Sequence, residues 1–263
     1  MLKGRVELAR LLDAAAGVLY PHAANCLCCG HPRLASETDS LCPDCRKKLT
    51  QLLVPAAACE RCLSPVVQGK PCKFCRSGVM TDITAVYAPY RYQDEVRKLV
   101  HMFKFFRCDD AGHVLANKMA DALKVRYFDC LTPVPMSPQR MRDQGANHAE
   151  ILARFLAEET GIPVRMLLSR RYARRKQSTL QGAERSKNVE NAFQIAEKAK
   201  GLRVLLVDDV RTTGSTAAAC AKVLTAHGAE SVSLCTAAVV YSRHPGDKIK
   251  KNENIHGLFK IHS

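Results

Sequence analysis

The chain has 263 residues and carries 40 basic against 25 acidic side chains, a formal net charge of +15. That length fits one large domain, or one of about 150–200 residues with a small companion, and the charge favours an anionic partner such as nucleic acid, a nucleotide or an acidic protein surface. No apolar run reaches the roughly 18 residues of a membrane span, so membrane insertion is not expected. Thirteen cysteines clustered in pairs point to metal in a reducing cytoplasm rather than to the disulfides of a secreted protein.

In chain order, Leu8 to Tyr20 is apolar but interrupted by Asp13, and reads as an amphipathic helix rather than a signal peptide. Nine of the thirteen cysteines then fall between Cys26 and Cys75. They form four Cys-x-x-Cys turns: Cys26/Cys29, Cys42/Cys45, Cys59/Cys62 and Cys72/Cys75. Such a turn puts two sulfurs on one side of a tight loop, and two turns complete a tetrahedral Cys₄ zinc site. Two structural Zn²⁺ ions are therefore expected, with sequential or interleaved pairing both allowed by the spacing. Cys28 offers a further sulfur with poorer spacing. Lys47, Lys48, Arg61, Lys70, Lys73 and Arg76 around the turns suit either nucleic-acid contact or a solvated surface. Cys108, Cys130, Cys220 and Cys235 stand singly in apolar contexts and read as buried small side chains.

Ala85 to Tyr92 alternates and is rich in strand formers, predicting a strand. From Asp94 the spacing of Val96, Leu99, Val100 and Phe103 predicts a helix with one apolar face, with Lys98 and Lys104 pointing elsewhere. A second helix is expected over 111–124, then a short strand at Phe128–Pro135. The stretch Met136 to His148 reads as a basic loop carrying Arg140, Arg142, Gly145 and Asn147. A helix follows from Ala149 to Glu159, with Ile151, Leu152, Phe155 and Leu156 inward. The segment 169–188, with Arg174, Arg175, Lys176, Gln177 and Arg185, reads as a mobile lid or a solvated charge run.

Val204-Leu205-Leu206-Val207 predicts a buried parallel strand that ends at Asp208 and Asp209. The turn Val210-Arg211-Thr212-Thr213-Gly214-Ser215-Thr216 leads into an alanine-rich helix, and a strand follows at Val232–Val240. A turn feeding a helix N-terminus presents free N–H groups and a positive dipole end, which suits a phosphate. The two acids would repel that phosphate, but they suit the hydroxyls of a sugar attached to it. The plainer reading is a strand–turn–helix whose acids only cap the helix.

This thirteen-residue run resembles the phosphoribosyl-pyrophosphate (PRPP) motif of type I phosphoribosyltransferases. The likeness implies that Asp208 and Asp209 hold the ribose hydroxyls while Val210 to Thr216 cradle the 5′-phosphate, with Mg²⁺ accompanying PRPP. The cysteine turns, Pro133-Val134-Pro135, the arginine loop with Gly145 and Asn147, Gln177, Leu180, Arg185, Asn188, and Asn191-Ala192-Phe193 precede it. In that order they are similar to the ComF family of competence proteins, from about residue 10 to 240. Ala146, His148 and Arg211 depart from that family's usual pattern. The resemblance implies an α/β fold: a type I phosphoribosyltransferase-like parallel sheet flanked by helices, behind a small N-terminal zinc-ribbon region. The expected organisation is an N-terminal helix and double ribbon over 1–80, the transferase-like domain over 81–241, and a flexible basic tail over 242–263. It further implies PRPP-dependent phosphoribosyl transfer, Arg140, Arg142, Gly145, Asn147 and the lid meeting pyrophosphate, and a role in natural transformation. There single-stranded DNA and a helicase-like competence protein are the implied partners. A non-catalytic single-stranded DNA or nucleotide-binding module on the same scaffold is the alternative, and a PRPP-sensing regulator is a third reading.

Overall fold

The computed structural model describes residues 25–32, 40–67, 70–123, 127–170 and 192–241. The expected helix at 8–20, the lid residues Arg174, Arg175, Lys176, Gln177 and Arg185, and the tail lie outside them. In chain order the elements are α1 (Pro43–Gln51), α2 (Lys73–Arg76), β1 (Val86–Tyr87), β2 (Tyr90–Arg91), α3 (Asp94–Phe106), α4 (Asp109–Leu123) and β3 (Cys130–Pro133). After these come α5 (Pro138–Gln144), α6 (His148–Thr160), β4 (Leu168–Arg170), β5 (Phe193–Ile195), β6 (Arg203–Arg211), α7 (Ser215–Ala226) and β7 (Ser231–Val239).

The apolar run Val204–Val207 lies inside β6, which pairs in parallel with β3 on one side and β7 on the other. β1 and β2 both pair in parallel with β7, and in one register: Val86 faces Leu234 and Tyr90 faces Ala238. They are one edge strand interrupted at Ala88-Pro89, where the sequence predicts a continuous strand. Proline has no N–H to give the ladder. The Pro89 carbonyl instead accepts the Val54 N–H at 2.9 Å.

Pleating sends successive residues of β6 to opposite faces. Leu205 and Val207 pack with α3, α4, α6 and the first cysteine region (Cys26–Leu52). Val204 and Leu206 pack with α7, β4, β5 and the second cysteine region, including Cys62 and Met80. Each ribbon therefore shares its apolar contacts with one face of the sheet.

α3 buries Val96, Leu99, Val100 and Phe103, as its periodicity predicts, and ends at Arg107 in the left-handed conformation (φ 50°). The expected arginine loop is instead largely helical. Ser137 caps α5 by accepting the Arg140 N–H at 3.2 Å, Pro138 occupies the first turn, and Gly145 (φ 74°) closes it. Ser-Pro at the start and glycine at the end are helix boundary signals. On α6, Leu152 and Leu156 are buried as expected. His148, Ala149 and Ala153 join them, while Ile151 and Phe155 are only half-buried. β4 and β5 form a separate antiparallel pair flanking residues 171–191. No helix among the described residues is long and apolar enough to cross a membrane.

Candidate functional site

The eight knuckle cysteines gather into two groups, Cys26/Cys29/Cys42/Cys45 and Cys59/Cys62/Cys72/Cys75, so the pairing is sequential. Within them the Sγ atoms of Cys29 and Cys42 lie 3.7 Å apart, those of Cys62 and Cys72 3.6 Å, and those of Cys59 and Cys75 3.8 Å. A tetrahedron with Zn–S arms of about 2.3 Å has edges of about 3.8 Å, whereas a disulfide needs about 2.05 Å. Those spacings, with the four sulfurs of each group all within 4.8 Å of one another, fit zinc in both clusters. Cys28 is not a member: it is buried with its Sγ 3.9 Å from the Glu95 carbonyl, and burial pushes its thiol up to about 12.

Of the cations around the knuckles, Arg61 is internal in role. Its guanidinium donates to the carbonyls of Met80, Thr81 and Ile83. Lys48 pairs with Glu95 on α3 at 3.7 Å. Lys47, Lys70, Lys73 and Arg76 are exposed.

The acids do not terminate β6 as expected. Asp208 pairs with Thr236 and Val210 with Ala238, so the strand runs through them to Arg211. The reason is tertiary: β7 continues alongside to Val239 and satisfies the backbone groups. The turn proper is Thr212 to Gly214. Gly214 adopts φ 73° as the N-cap of α7, and Thr213 and Ser215 join hydroxyls at 3.0 Å. Thr212, Thr213 and Ser215 are exposed, and Thr216 is half-buried. The small buried residues Ala217, Ala219, Cys220 and Ala221 let α7 sit close on the sheet.

Asp209 meets Lys104 of α3, with Nζ 2.7 Å from Oδ2. This corrects the reading that Lys104 points elsewhere. At 100° per residue Lys104 stands about 80° from Val96, at the edge of the apolar stripe rather than opposite it. Next to this pair lies His148, 2% exposed, its ring 5.5 Å from that of Phe103. Burial pushes the His148 pKa down, outweighing the Asp209 charge. Its Nδ1 has no hydrogen-bond partner among the described residues.

Burial and the neighbouring Asp209 charge push the Asp208 carboxyl up to about 7, against the Asp209 N–H that donates to its Oδ1 at 2.9 Å and the Lys104 and Arg140 charges. Between the unfolded value of 3.8 and about 7 the folded protein holds the extra proton, so stability from this group is complete below 3.8 and falls as pH rises to about 7. Asp208→Asn imitates the neutral acid. Its melting temperature is expected to rise relative to wild type between pH 4 and pH 7 and to stay level above; parallel melting curves across that range would contradict the assignment.

Arg140 and Arg142 stand exposed on α5. Arg140 is the nearer to the acids, its charge acting on both Asp208 and Arg170. Gly145 packs under the Arg107 guanidinium. Asn147 is buried and fully engaged: Nδ2 donates to the Val134 carbonyl and Oδ1 accepts the Ala149 N–H, both at 3.2 Å. It ties the α5–α6 junction to the end of β3. Val210 packs against the apolar core. Arg211 is 3% exposed and its guanidinium lies over the Phe74 ring of the second cysteine region, reaching the turn at the Thr212 carbonyl.

A strand-borne acid pair followed by a hydroxyl-bearing turn and a helix, on a parallel sheet flanked by helices, is the arrangement of a type I phosphoribosyltransferase-like domain. Residues 143–262 match the model of the phosphoribosyl transferase domain. The chain is 29% identical over 221 residues to the DNA utilization protein YhgH of Salmonella typhimurium, covering 81% of this chain and 89% of that protein. To the competence protein ComFC of Bacillus subtilis it is 25% identical over 212 residues, covering 77% and 85%. For ComFC of Streptococcus pneumoniae the figures are 25% over 226 residues, 79% and 96%. The chain thus carries a phosphoribosyl transferase domain and is homologous over most of its length to ComFC and YhgH.

Proposed function

We propose that the chain binds PRPP with Mg²⁺ and transfers the phosphoribosyl group, in the cytoplasm, as part of handling imported single-stranded DNA. The observation that carries this is the Asp208–Asp209 pair at the carboxyl end of β6, beside a turn with exposed hydroxyls and a helix N-terminus, with Lys104 2.7 Å from Asp209. Ligands of open α/β sheets sit at that end of the strands.

In this reading Asp208 and Asp209 accept from the ribose 2′- and 3′-hydroxyls. The 212–216 turn takes the 5′-phosphate through backbone N–H groups and the Thr212, Thr213, Ser215 and Thr216 hydroxyls. Arg140, Arg142 and the lid residues Arg174, Arg175, Lys176, Gln177 and Arg185 meet the pyrophosphate, for which the arginine fork is suited. Gly145 and Asn147 shape the turn that presents α5. Bound Mg²⁺ would neutralise charge on the departing pyrophosphate. No protein nucleophile is needed, because an acceptor attacks the anomeric carbon; positioning and charge stabilisation supply the catalysis. Two zinc ions in the cysteine clusters belong to the same reading, as structural metals.

Titration calorimetry tests it. Wild type is expected to bind PRPP in the presence of Mg²⁺. Asp208→Asn and Asp209→Asn are each expected to weaken binding about tenfold or more, since a charge-assisted hydrogen bond contributes roughly 1.5–3 kcal/mol. A screen for pyrophosphate release then separates turnover from binding.

One observation favours the second reading, a non-catalytic single-stranded DNA or nucleotide-binding module. Phe105 and Phe106 are 59% and 57% exposed, and exposed aromatic rings on a strongly basic chain suit stacked bases. Wild type that ignores millimolar PRPP with Mg²⁺, yet binds an oligonucleotide with steep salt dependence, would overturn the first reading for this one.

A further inference from the structure

The second cysteine cluster and the phosphate turn are joined side chain to side chain. Arg211 is the last residue of β6 and directly precedes the turn. Its guanidinium carbon lies 4.9 Å from the centroid of the Phe74 ring. Nη2 donates to Ser64 Oγ at 3.4 Å, and Nη1 donates to the carbonyl of Thr212, also at 3.4 Å. Phe74 stands between the ligand residues Cys72 and Cys75, and Ser64 lies two residues after Cys62. One buried cation therefore ties the first carbonyl of the turn to the segments that carry three of the four thiols.

A second contact is independent of the first. Gly214 packs so closely under Met80 that a Cβ there would stand 2.5 Å from its Sδ. Met80 is itself held by Arg61, whose Nη2 donates to the Met80 carbonyl at 2.9 Å, and Arg61 lies between Cys59 and Cys62. A small cavity lined by Arg61, Cys62, Phe74, Cys75 and Met80 marks where ribbon and linker meet. The first ribbon has different neighbours. Cys28 and Lys48 both contact Glu95 at the start of α3. From there to Lys104 is about 14 Å at 1.5 Å per residue.

The phosphate turn has little to hold it by itself. Its N-cap is a glycine without a capping side chain, and Ser215 N–H reaches Thr213 Oγ1 only at 3.4 Å. A turn that must be ordered by its ligand binds more weakly than one already ordered.

We infer that the second ribbon is the positioning element of the phosphate turn: with its four thiols assembled it clamps Arg211 and Met80 and so preorganises residues 212–216, whereas the first ribbon does not. The affinity consequence rests on the proposed PRPP reading; the ordering of the turn does not. Arg211 and Phe74 act as positioning residues, through the turn rather than on the ligand. Disassembly of the second cluster, by metal loss, then loosens phosphate binding at a distance.

The test uses the full zinc-loaded chain and four variants: Arg211→Lys, which keeps the charge and loses the fork; Phe74→Leu; Phe74→Tyr, which keeps the ring; and Lys48→Ala in the first ribbon as control. Amide hydrogen exchange over 212–216, zinc content and PRPP titration with Mg²⁺ are read together. Arg211→Lys and Phe74→Leu are expected to retain their zinc and to exchange at least about fivefold faster in that turn, a change of about 1 kcal/mol in local opening. PRPP affinity is expected to fall by a similar factor. Phe74→Tyr restores slow exchange, and Lys48→Ala leaves it at the wild-type rate. Unchanged exchange in both Arg211→Lys and Phe74→Leu, or equal acceleration in Lys48→Ala, overturns the inference. Should Arg211→Lys fail to fold, Phe74→Leu against Phe74→Tyr decides. Accelerated exchange in a protein whose wild type ignores PRPP would uphold the clamp and refute the proposed ligand.

Discussion

Replacing Cys62 by serine is expected to remove about one equivalent of zinc and to collapse the second ribbon. Cys62 is 2% exposed, its Sγ lies 3.6 Å from that of Cys72, and it belongs to the apolar core on the α7 face of the sheet. A ribbon this small has little core of its own, so metal binding is largely its folding free energy, roughly 10–16 kcal/mol in isolated zinc-finger peptides. Because the ribbon shares its core with the sheet, the damage should spread beyond residues 59–75. Metal analysis, with thermal melting before and after chelation, measures this. Wild type is expected to hold two equivalents, and the variant one with a clearly lowered melting temperature. Wild-type protein purified without zinc, or a variant that keeps both equivalents, would sink the assignment.

Gly214→Val is expected to abolish phosphate binding and to destabilise the fold. Two effects add. The residue sits at φ 73°, a region that a β-branched side chain does not adopt without strain. A Cβ there would also fall 2.5 Å from Met80 Sδ, so either the turn or the Met80 linker must move. Gly214→Ala meets the same close contact with less strain. The series Gly, Ala, Val should therefore show progressive loss of PRPP affinity and of melting temperature. Combining Gly214→Ala with Met80→Ala removes the steric part but not the positive φ. Partial recovery in that double variant would separate the two causes, and wild-type affinity in Gly214→Val would refute the placement of the phosphate at this turn.

Much of this is legible in the sequence alone. The Cys-x-x-Cys turns are a local device: their spacing alone puts two sulfurs on one side of a loop, and eight ligand positions could be named from it. The apolar run at 204–207, the acids after it, and the glycine-bearing turn into an alanine-rich helix are likewise contiguous in the chain. The helical stripe of Val96, Leu99, Val100 and Phe103 needed only the 3.6-residue period. The Ser137-Pro138 start and the Gly145 stop of α5 were also in the sequence, but the two arginines between them drew the reading towards a loop.

What could not be read from the chain depends on contacts between distant segments. Pairing with β7 carries β6 past Asp208 and Asp209, so the strand's end is decided by its neighbour and not by where the apolar residues stop. Lys104 reaches Asp209 across 105 positions of sequence, and only its place at the edge of the α3 stripe hinted at it. Arg211 sits within the acid–turn motif yet packs its guanidinium against Phe74 and Ser64, a buried site that no local pattern announces. By itself, then, the sequence determined the candidate metal-binding cysteines, the order of the main-sheet strands and of the helices α3, α4, α6 and α7 between them, and the acid–turn motif, since each rests on residues within one turn or strand of each other. Only the tertiary structure decided that the thiols pair sequentially, that Lys104 and the buried His148 lie beside the acids, and that Arg211 and Gly214 pack against the second cysteine region rather than the first. Those outcomes are set by which side chains a packed interior brings together, and packing is a property of the whole chain.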